Sequence, residues 1–346
     1  MRYDSVSGVA VASGARGFSL VEFMIALLLG TILIAGAVAV YLASKTAFLE
    51  VEQVAELSEN TRFAQQVLSD SLRHAGFFGG VHPRDIRGDS GLSAVTGDCT
   101  SGGGANPAAY ALGDYLLAET ADGDGEAFAC VDDAVPGSDV LVVKQVQPLP
   151  LYDRDPDDAS AATDGVISWP QGLRNDTLYI VANSERGLLM EGSDTPPNVG
   201  IGSEFALAGA WPYRTYIYYV RDLAVPSLAR RELRLVGGAP TLAGEPVTLV
   251  PGVEQFQVRF GEDPDGDGNV DQFSPPAAVA DYDSVQSVQV YLLLRSTTQD
   301  PDFDDDRSYD LGGVTVTPGA DDHWRRQLLE FSVLLRNPQL RVLGGL

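Results

Sequence analysis

The feature that most constrains this chain is an apolar run from Phe18 to Ser44 that contains a single charged residue, Glu22. As a helix, these 27 residues span about 40 Å, enough to cross a hydrocarbon core of about 30 Å. A secretory signal peptide has a shorter apolar region, of roughly 7–15 residues, followed by a small residue at the cleavage site. Here the small residue, Gly17, precedes the run instead. The sequence therefore predicts a membrane-spanning helix over residues 18–44.

Glu22 distinguishes a specialised segment from an ordinary single-pass anchor. An ionised carboxylate in hydrocarbon is costly and is normally retained for a defined partner. If the chain is cut between Gly17 and Phe18, Glu22 becomes the fifth residue, about one helical turn from a new α-amine. It also lies at the positive end of the helix dipole. We therefore expect Glu22 to pair with an N-terminal amine, its own or that of a neighbouring subunit; an ordinary anchor is the alternative.

The residues around this cut resemble a known family. The run Gly17-Phe18-Ser19-Leu20-Val21-Glu22-Phe23-Met24-Ile25-Ala26 is similar to the class III signal of type IV prepilins and pseudopilins. The resemblance implies that a membrane peptidase cuts between Gly17 and Phe18 and methylates the new N-terminus of Phe18. Residues 1–17 would then be a leader peptide. Residues 18–44 would form the transmembrane half of a long helix, with Glu22 serving in assembly.

Beyond Lys45 the pattern changes from apolar to amphipathic. Apolar or small residues recur at steps of three and four, which places them on one helix face: Val54, Leu57, Thr61, Ala64, Leu68, Leu72 and Ala75. No proline interrupts residues 18–75, and Gly76 supplies a stop. The sequence predicts that residues 45–76 are the amphipathic half of the same helix, packed on a head domain. A coiled-coil stalk is the alternative.

Residues 77–346 show little helical periodicity and are predicted to form a strand-rich head. The candidate strands are apolar, β-branched runs bounded by Gly, Pro, Asp or Asn: Asp139–Gln145, Thr177–Ala182, Arg214–Arg221, Glu232–Val236, Val247–Val250, Val253–Phe260 and Val285–Arg295. The run Leu328–Leu335 fits either a strand or a short helix. Alternation within several runs favours an antiparallel sheet with one solvated face. Segments 81–136 and 183–210, rich in Gly, Pro, Ser and Asp, are predicted to be long surface loops.

The charge balance excludes several functions. The chain carries 48 Asp and Glu against 23 Lys and Arg, a formal charge of −25 at pH 7. This argues against nucleic acid as a partner and against docking on an anionic leaflet through a basic patch. The three His and two Cys do not supply four closely spaced zinc ligands. The sequence contains no P-loop, HExxH, GxSxG or strand-borne GxGxxG motif, so it supports no familiar enzyme class and no required cofactor.

The two cysteines, Cys99 and Cys130, are 31 positions apart, and the apolar anchor places them outside the cytoplasm. In an oxidising compartment this favours a disulfide, worth roughly 3–4 kcal/mol on the loop-entropy account. Two unpaired thiols are the alternative. Neither cysteine lies in a CxxC motif or beside an evident base, so a catalytic role is not predicted.

The run Asp263–Asp271 has the ligand spacing of a calcium loop of the EF-hand kind. Oxygen ligands stand at positions 1, 3, 5 and 9, a backbone carbonyl at position 7 and glycine at position 6. The ligands would be Asp263, Asp265, Asp267, Asn269 and Asp271. Position 12 is Ser274 rather than the bidentate Glu, and no clear helix flanks the loop. A structural Ca²⁺ and a solvated acidic hairpin stay open as interpretations.

Further blocks, in the same order along the chain, resemble the PilW-type minor pilins. They are His74–Gly79, Ser138–Val143, Pro251–Gly261, Asp263–Asp271, and Trp324–Arg326 through Leu335–Asn337. PilW relatives often carry a cysteine after the glycine that follows the aromatic pair, where this chain has Gly80, so the family's disulfide pattern does not transfer. In the C-terminal block, Arg325, Arg326 and Arg336 fit an internal ion-pair role, a docking edge or solubilising charge.

The resemblance implies an α+β, pilin-like fold. It consists of a long N-terminal helix, half transmembrane and half amphipathic, packed on an antiparallel β-sheet head with long loops. The head would comprise residues 77–346.

The resemblance also implies a non-catalytic minor pilin that takes part in type IV pilus assembly, priming the fibre and sitting at or near its tip after leader cleavage and N-methylation. Its partners would be the prepilin peptidase, other minor pilins, the major pilin and, in many such systems, a large tip adhesin. It would span the inner membrane once with its head in the periplasm, and reach the cell surface in the pilus. A type II secretion minor pseudopilin, or an unprocessed membrane-anchored exported protein that binds calcium or adheres, stays open as an alternative.

Overall fold

A computed structural model of the protein describes residues 17–99, 108–158, 160–161 and 163–337. The predicted leader therefore lies, apart from Gly17, outside the described residues. One long helix, α1, runs over Leu20–His74, and a β-rich head follows it. The chain divides into two compact units between Glu52 and Gln53, so that the last part of α1 belongs to the same unit as the strands.

The first unit contains the apolar part of α1. Its large side chains are exposed throughout, with Leu33 at 73% and Ile34 at 65% of their full accessible surface. By length and composition, α1 is the one helix in the described part of the chain that could cross a membrane. The exposed apolar surface is accounted for if hydrocarbon, rather than water or protein, surrounds this segment.

In the second unit, the amphipathic part of α1 buries one face in the head core. The stripe predicted from the sequence is buried at Leu57, Thr61, Ala64, Leu68 and Leu72. Val54 does not share that burial, since it is 50% exposed.

Gln53 is buried in place of Val54. Its Nε2 donates to Thr298 Oγ1 at 3.0 Å, a contact that hydropathy alone does not reveal.

The helix stops where the sequence supplies a glycine. Gly76 follows the last turn with φ +70°, a conformation that favours glycine, and its N–H donates to Lys144 O at 3.0 Å. A Cβ at this position would lie 2.7 Å from the Tyr115 ring. At the same end, Asn337 Nδ2 donates to Ala75 O at 2.8 Å, so a residue from the C-terminal block satisfies a helix-end carbonyl.

The described head contains sixteen strands. They are β1 Ile86–Gly88, β2 Leu116–Thr120, β3 Asp139–Val146, β4 Leu178–Ala182, β5 Gly187–Glu191, β6 Gly209–Arg221, β7 Ser227–Glu232, β8 Arg234–Val236, β9 Ala239–Thr241, β10 Val247–Pro251, β11 Val253–Glu262, β12 Gln272–Ser274, β13 Val285–Arg295, β14 Tyr309–Asp310, β15 Thr315–Val316 and β16 Arg326–Leu334. Three short 3₁₀ turns cover Pro83–Asp85, Pro276–Ala278 and Tyr282–Ser284.

The strands form two main sheets and two small hairpins. The larger sheet has the order β1-β5-β4-β6-β3-β2, and β7 and β10 extend it from β6. The smaller sheet has the order β12-β11-β13-β16, and β8–β9 and β14–β15 pair separately. All described pairs are antiparallel except β1–β5, in which Ile86 faces Gly187 in parallel register. The predicted antiparallel head is therefore present, with one parallel edge.

Most predicted strands lie where the sequence placed them, and β13 has the predicted bounds. The segments 81–136 and 183–210 were wrongly predicted to be loops throughout. They contain β1, β2 and β5, because their short apolar runs pair with distant strands. The predicted strand Glu232–Val236 is instead split between β7 and β8. The ambiguous run Leu328–Leu335 lies in β16 except for its last residue.

The two sheets are joined by polar side chains at the start of β3. Ser138 Oγ accepts from Phe256 N–H at 3.3 Å, and Asp139 Oδ2 accepts from Val258 N–H at 2.8 Å. These bonds occupy backbone donors of β11 that no neighbouring strand reaches. Thr120 Oγ1 donates to Asp139 Oδ1 at 2.6 Å and completes the set. Both residues begin the Ser138–Val143 block that the sequence singled out.

We expect Asp139 to make the head less stable as the pH rises from about 4 to 6. Burial raises the pKa of Asp139 to about 6 from 3.8, although the bonds from Thr120 and Val258 oppose the shift. The folded state therefore holds this proton more tightly than the unfolded chain, and that stabilisation is lost as the pH rises through this window. Two pKa units correspond to about 3 kcal/mol.

Urea unfolding of the full chain in detergent, at pH 4 to 7, measures this effect. The free-energy difference between the wild type and Asp139→Asn should fall with rising pH, because Asn does not titrate. Asp124→Asn, an exposed control, should leave the profile unchanged. Parallel pH profiles for the wild type and Asp139→Asn would contradict the assignment.

Candidate functional site: the helix N-terminus and the acidic loop

Ser19 precedes the first turn of α1 and forms a reciprocal pair of hydrogen bonds with Glu22. The Glu22 N–H donates to Ser19 Oγ at 3.1 Å, and the Ser19 N–H donates to Glu22 Oε2 at 3.3 Å. This is a capping box, in which side chains satisfy two donors that a helix start leaves open. Phe23 N–H then donates to Ser19 O at 3.1 Å. Residues 19–23 thus define the helix start by themselves.

The capping box explains how α1 tolerates a carboxylate in an apolar segment. Glu22 lies in the first turn, where the helix dipole favours negative charge, and one of its oxygens accepts a backbone N–H. The Gly17–Phe18 bond lies before the box and outside the helix, and Phe18 is 83% exposed. A chain beginning at Phe18 would carry its amine one residue before Ser19. Cleavage there and the assembly role of Glu22 stay predictions.

Cys99 and Cys130 form a disulfide in the structure, with their Cα atoms 4.9 Å apart. Cys130 follows Phe128 and Ala129, which both have positive φ values, 51° and 55°. The Phe128 N–H donates to Glu119 Oε2 at 2.6 Å, which holds this unusual backbone in place. With both sulfurs bonded, neither cysteine offers a thiol for chemistry.

The acidic run lies in the hairpin loop between β11 and β12, whose strands pair Glu262 with Gln272. Asp263 is buried and organises the loop: its carboxylate accepts from the N–H groups of Gly266, Asp267 and Gly268 at 2.8, 3.1 and 2.8 Å. Gly266 and Gly268 have positive φ values, which the tight path requires. The loop is therefore folded by its own first carboxylate.

The loop brings some predicted calcium ligands together. Oxygens of Asp263, Asp265 and Asp267 lie within 4.8 Å of one another, and the last two are exposed. Asp271 is not part of that group. Local desolvation and then the charges of Asp265, Asp267 and Asp263 raise the pKa of Asp271, as expected for crowded carboxylates. Hard oxygen donors at this spacing suit Ca²⁺. Calcium binding itself stays a prediction.

The C-terminal block forms internal ion pairs. Arg326 is 5% exposed, and its guanidinium lies 2.6 Å from Glu254, 2.7 Å from Asp322 and 3.4 Å from Asp305. Burial alone would lower the pKa of Arg326, but its hydrogen bonds to Asp322 and Glu254 raise it. Because β16 carries Arg326 and β11 carries Glu254, the pair also ties together two strands that are not neighbours.

Arg325 is likewise an internal residue, with its guanidinium 2.7 Å from Asp300. Arg336 is exposed. Of the three roles that the sequence left open for these arginines, the internal ion pair therefore describes Arg325 and Arg326.

Sequence reasoning missed two features of these sites. The capping box has a sequence signal, because Ser19-Leu20-Val21-Glu22 matches the S-x-x-E signature. No sequence pattern predicts the buried amine of Lys144, because its neighbours in β3 are mostly apolar. Its Nζ donates to Ala108 O and Ala111 O, each at 2.7 Å.

Comparison with known families agrees with this arrangement. Residues 12–38 match the family model described as Prokaryotic N-terminal methylation motif, which includes the Gly17–Phe18 bond and the capping box. The chain is thus a protein with an N-terminal methylation signal, a long apolar helix and a β-rich head. Residues 217–337 match the family model described as Type IV Pilus-assembly protein W. That match includes the acidic loop and the Arg326 ion pairs.

The solved structure of the type IV-like pilin TTHA1219 from Thermus thermophilus is similar to this chain. The sequence identity is 14% and the TM-score is 0.31, with 83% of this chain and 97% of that chain covered. No curated protein matches the chain.

Proposed function

We propose that the protein is a minor pilin of a type IV pilus, made with a leader that is cut between Gly17 and Phe18. The proposal is supported mainly by the positions of three features relative to one another. The methylation motif contains both the Gly17–Phe18 bond and the Ser19–Glu22 capping box, and the box opens a membrane-length helix. The match to the Type IV Pilus-assembly protein W model at the other end of the chain supports the pilus assignment over a generic anchor.

In this proposal α1 anchors the chain in the inner membrane, and the head lies in the periplasm before assembly. Glu22 exchanges its hydrogen bond from Ser19 for the charged N-terminal amine of a neighbouring pilin, which sets the register of the two helices. The subunit primes the fibre with other minor pilins and the major pilin, and stays at or near the tip beside an adhesin. It performs no catalysis; the prepilin peptidase acts on it.

The first experiment is mass spectrometry of the membrane-bound chain from cells with and without the prepilin peptidase. We expect a chain that starts at N-methylated Phe18 when the peptidase is present and that retains residues 1–17 when it is absent. An intact leader in both strains would contradict the proposal and favour an unprocessed membrane-anchored protein.

We expect Glu22→Ala to be cleaved and membrane-bound but unable to support piliation, because the amine of the neighbour then lacks its carboxylate. Pilus counts by electron microscopy, with the N-terminus checked by mass spectrometry, measure this outcome.

Glu22→Gln is the matched control, since Gln at this position keeps a capping box but carries no charge. It should fail like Glu22→Ala if the amine is the partner. Normal piliation by Glu22→Gln would show that only the helix cap matters.

The acidic loop supports a second, structural proposal: Asp263, Asp265, Asp267, Asn269 and Asp271 hold one Ca²⁺ that stabilises the head. The observation behind it is the convergence of three carboxylates within 4.8 Å in a loop of calcium-binding spacing. Crowded carboxylates repel one another, and a divalent cation relieves that repulsion. The ion would be structural and would have no catalytic role.

Calcium should raise the melting temperature of the full chain in detergent relative to EDTA, since a ligand that binds only the folded state stabilises it. The gain is about 2.7 kcal/mol when free calcium is roughly 100-fold above Kd. Asp265→Asn with Asp267→Asn should abolish the shift and raise the EDTA melting point slightly, because two mutually repelling carboxylates are removed. Asp155→Asn with Asp157→Asn, in another acidic run, is the control and should keep the shift. An unchanged melting temperature in the wild type would refute the site.

A further inference from the structure

The chain is strongly acidic, yet one part of it is rich in arginine. Residues 214–234 contain five of the 23 cationic residues and only two acidic ones, Asp222 and Glu232. They cover most of β6, the turn after it, β7 and the first residue of β8. Because side chains alternate between the faces of a strand, the five arginines divide between the two sides of this part of the sheet.

On one side, the arginines are balanced by acidic residues. The Arg221 guanidinium lies 2.6 Å from Asp133, and that of Arg231 lies 3.3 Å from Asp132 and 3.7 Å from Asp133. Tyr219 OH also donates to Asp133 at 2.8 Å. Two cations face two anions, so this side carries no local charge. Its arginines are accounted for by ion pairs within the head.

On the other side, three arginines share one acid. Glu232 lies 3.4 Å from Arg214, 3.5 Å from Arg230 and 3.1 Å from Arg234. Glu232 is the one carboxylate within 4.0 Å of these guanidinium groups among the residues that the structure describes. We name Arg214, Arg230 and Arg234, with Glu232 at their centre, the arginine cluster. Its local charge is about +2, in a protein of net charge −25.

The guanidinium groups of the arginine cluster are held in place. Arg230 lies over the Tyr216 ring at 4.3 Å, and Arg214 Nη1 donates to Tyr213 O at 3.2 Å. The side chains of Arg214 and Arg230 are 20% and 24% exposed, whereas that of Arg234 is 53% exposed. Fixed, partly desolvated guanidinium groups lose little entropy when they bind a carboxylate, and they match its planar shape.

We propose that the arginine cluster docks an acidic loop of a neighbouring pilus subunit. The identity of the neighbour rests on the proposed function. The chemistry of the docked loop follows from the cluster itself: the loop must carry at least two carboxylates, close enough together to reach Arg234 and one partly buried arginine. The adjoining β8–β9 hairpin adds an apolar contact, because Val236 is 64% exposed beside the cluster. Arginine is among the residues enriched at the energetically dominant centres of protein interfaces.

The area over which a partner is negatively charged favours a protein loop over an anionic membrane as the occupant. A lipid surface is negative over a wide area, so the whole acidic head would be repelled from it. A loop presents only a few charges. At physiological salt, acidic residues of the head that lie more than about 8 Å from the loop are largely screened from it. The local excess at the cluster then decides the contact.

The test places the photo-crosslinking residue p-benzoylphenylalanine at Val236 of the full chain in piliated cells. Crosslinked peptides are identified by mass spectrometry. We expect a peptide of another pilus subunit that contains clustered Asp or Glu. Arg234→Glu should lower the crosslink yield about tenfold, and changing two acids of that peptide to Lys in the Arg234→Glu background should restore it.

Arg174→Glu is the matched control. Arg174 has a similar exposure, 62%, and pairs with Asp176 elsewhere in the head, so its reversal should leave the yield unchanged. Thermal melting of the Arg234→Glu chain checks that the head is folded. Because Arg234 is the most exposed member of the cluster, we expect no more than a small change.

Several results would overturn the proposal. Crosslinks to lipid, crosslinks to a peptide without acidic residues, or a yield that Arg234→Glu does not change would each do so, as would the absence of any crosslink. The N-terminus, read in the same cells, separates the two proposals. A processed Phe18 terminus without the crosslink refutes the docking surface alone, whereas an unprocessed leader refutes the pilus function on which it rests.

Discussion

One continuous helix has to satisfy two different surroundings, and the rest of the structure follows from that constraint. Up to Glu52, α1 exposes large apolar side chains on all sides. From Gln53 onward, it exposes only one side and buries the stripe from Leu57 to Leu72 in the head core. The first pattern is stable only in hydrocarbon, and the second only against a protein surface. The head therefore has to supply an apolar face, and its strands do so.

Polar side chains connect several elements of the head that strand pairing does not join. Asp139 and Ser138 occupy backbone donors of β11, Asn337 satisfies a carbonyl at the helix end, and Arg326 joins β16 to β11 through Glu254. These residues lie in the blocks that resemble PilW-type minor pilins. The same blocks also contribute fully buried apolar residues such as Val140 and Phe256, so the resemblance includes both the joints between elements and part of the apolar core.

Local patterns predicted the local structure. The apolar, β-branched run Val285–Arg295 is a strand with its predicted bounds, and the stripe predicted on α1 forms its buried face from Leu57 to Leu72. The predictions were wrong where a residue's structure depends on a partner that is distant in the sequence. Leu116–Thr120 lies in a glycine-rich segment and becomes a strand only because β3 pairs with it, and Gln53 replaces Val54 because Thr298 reaches it. The acidic loop was predicted from spacing, but the arginine cluster was not, since its members come from three strands.

The capping box has a consequence for how the chain changes on maturation. Ser19 and Glu22 both lie on the C-terminal side of the Gly17–Phe18 bond, so a cut there removes no group on which the start of α1 depends. We therefore expect the start of α1 to be the same before and after such a cut. The difference between the two forms is then one positive charge, placed next to the single carboxylate of the apolar segment. On this account, leader cleavage changes the charge at the start of a helix that is already folded, and it needs no refolding step.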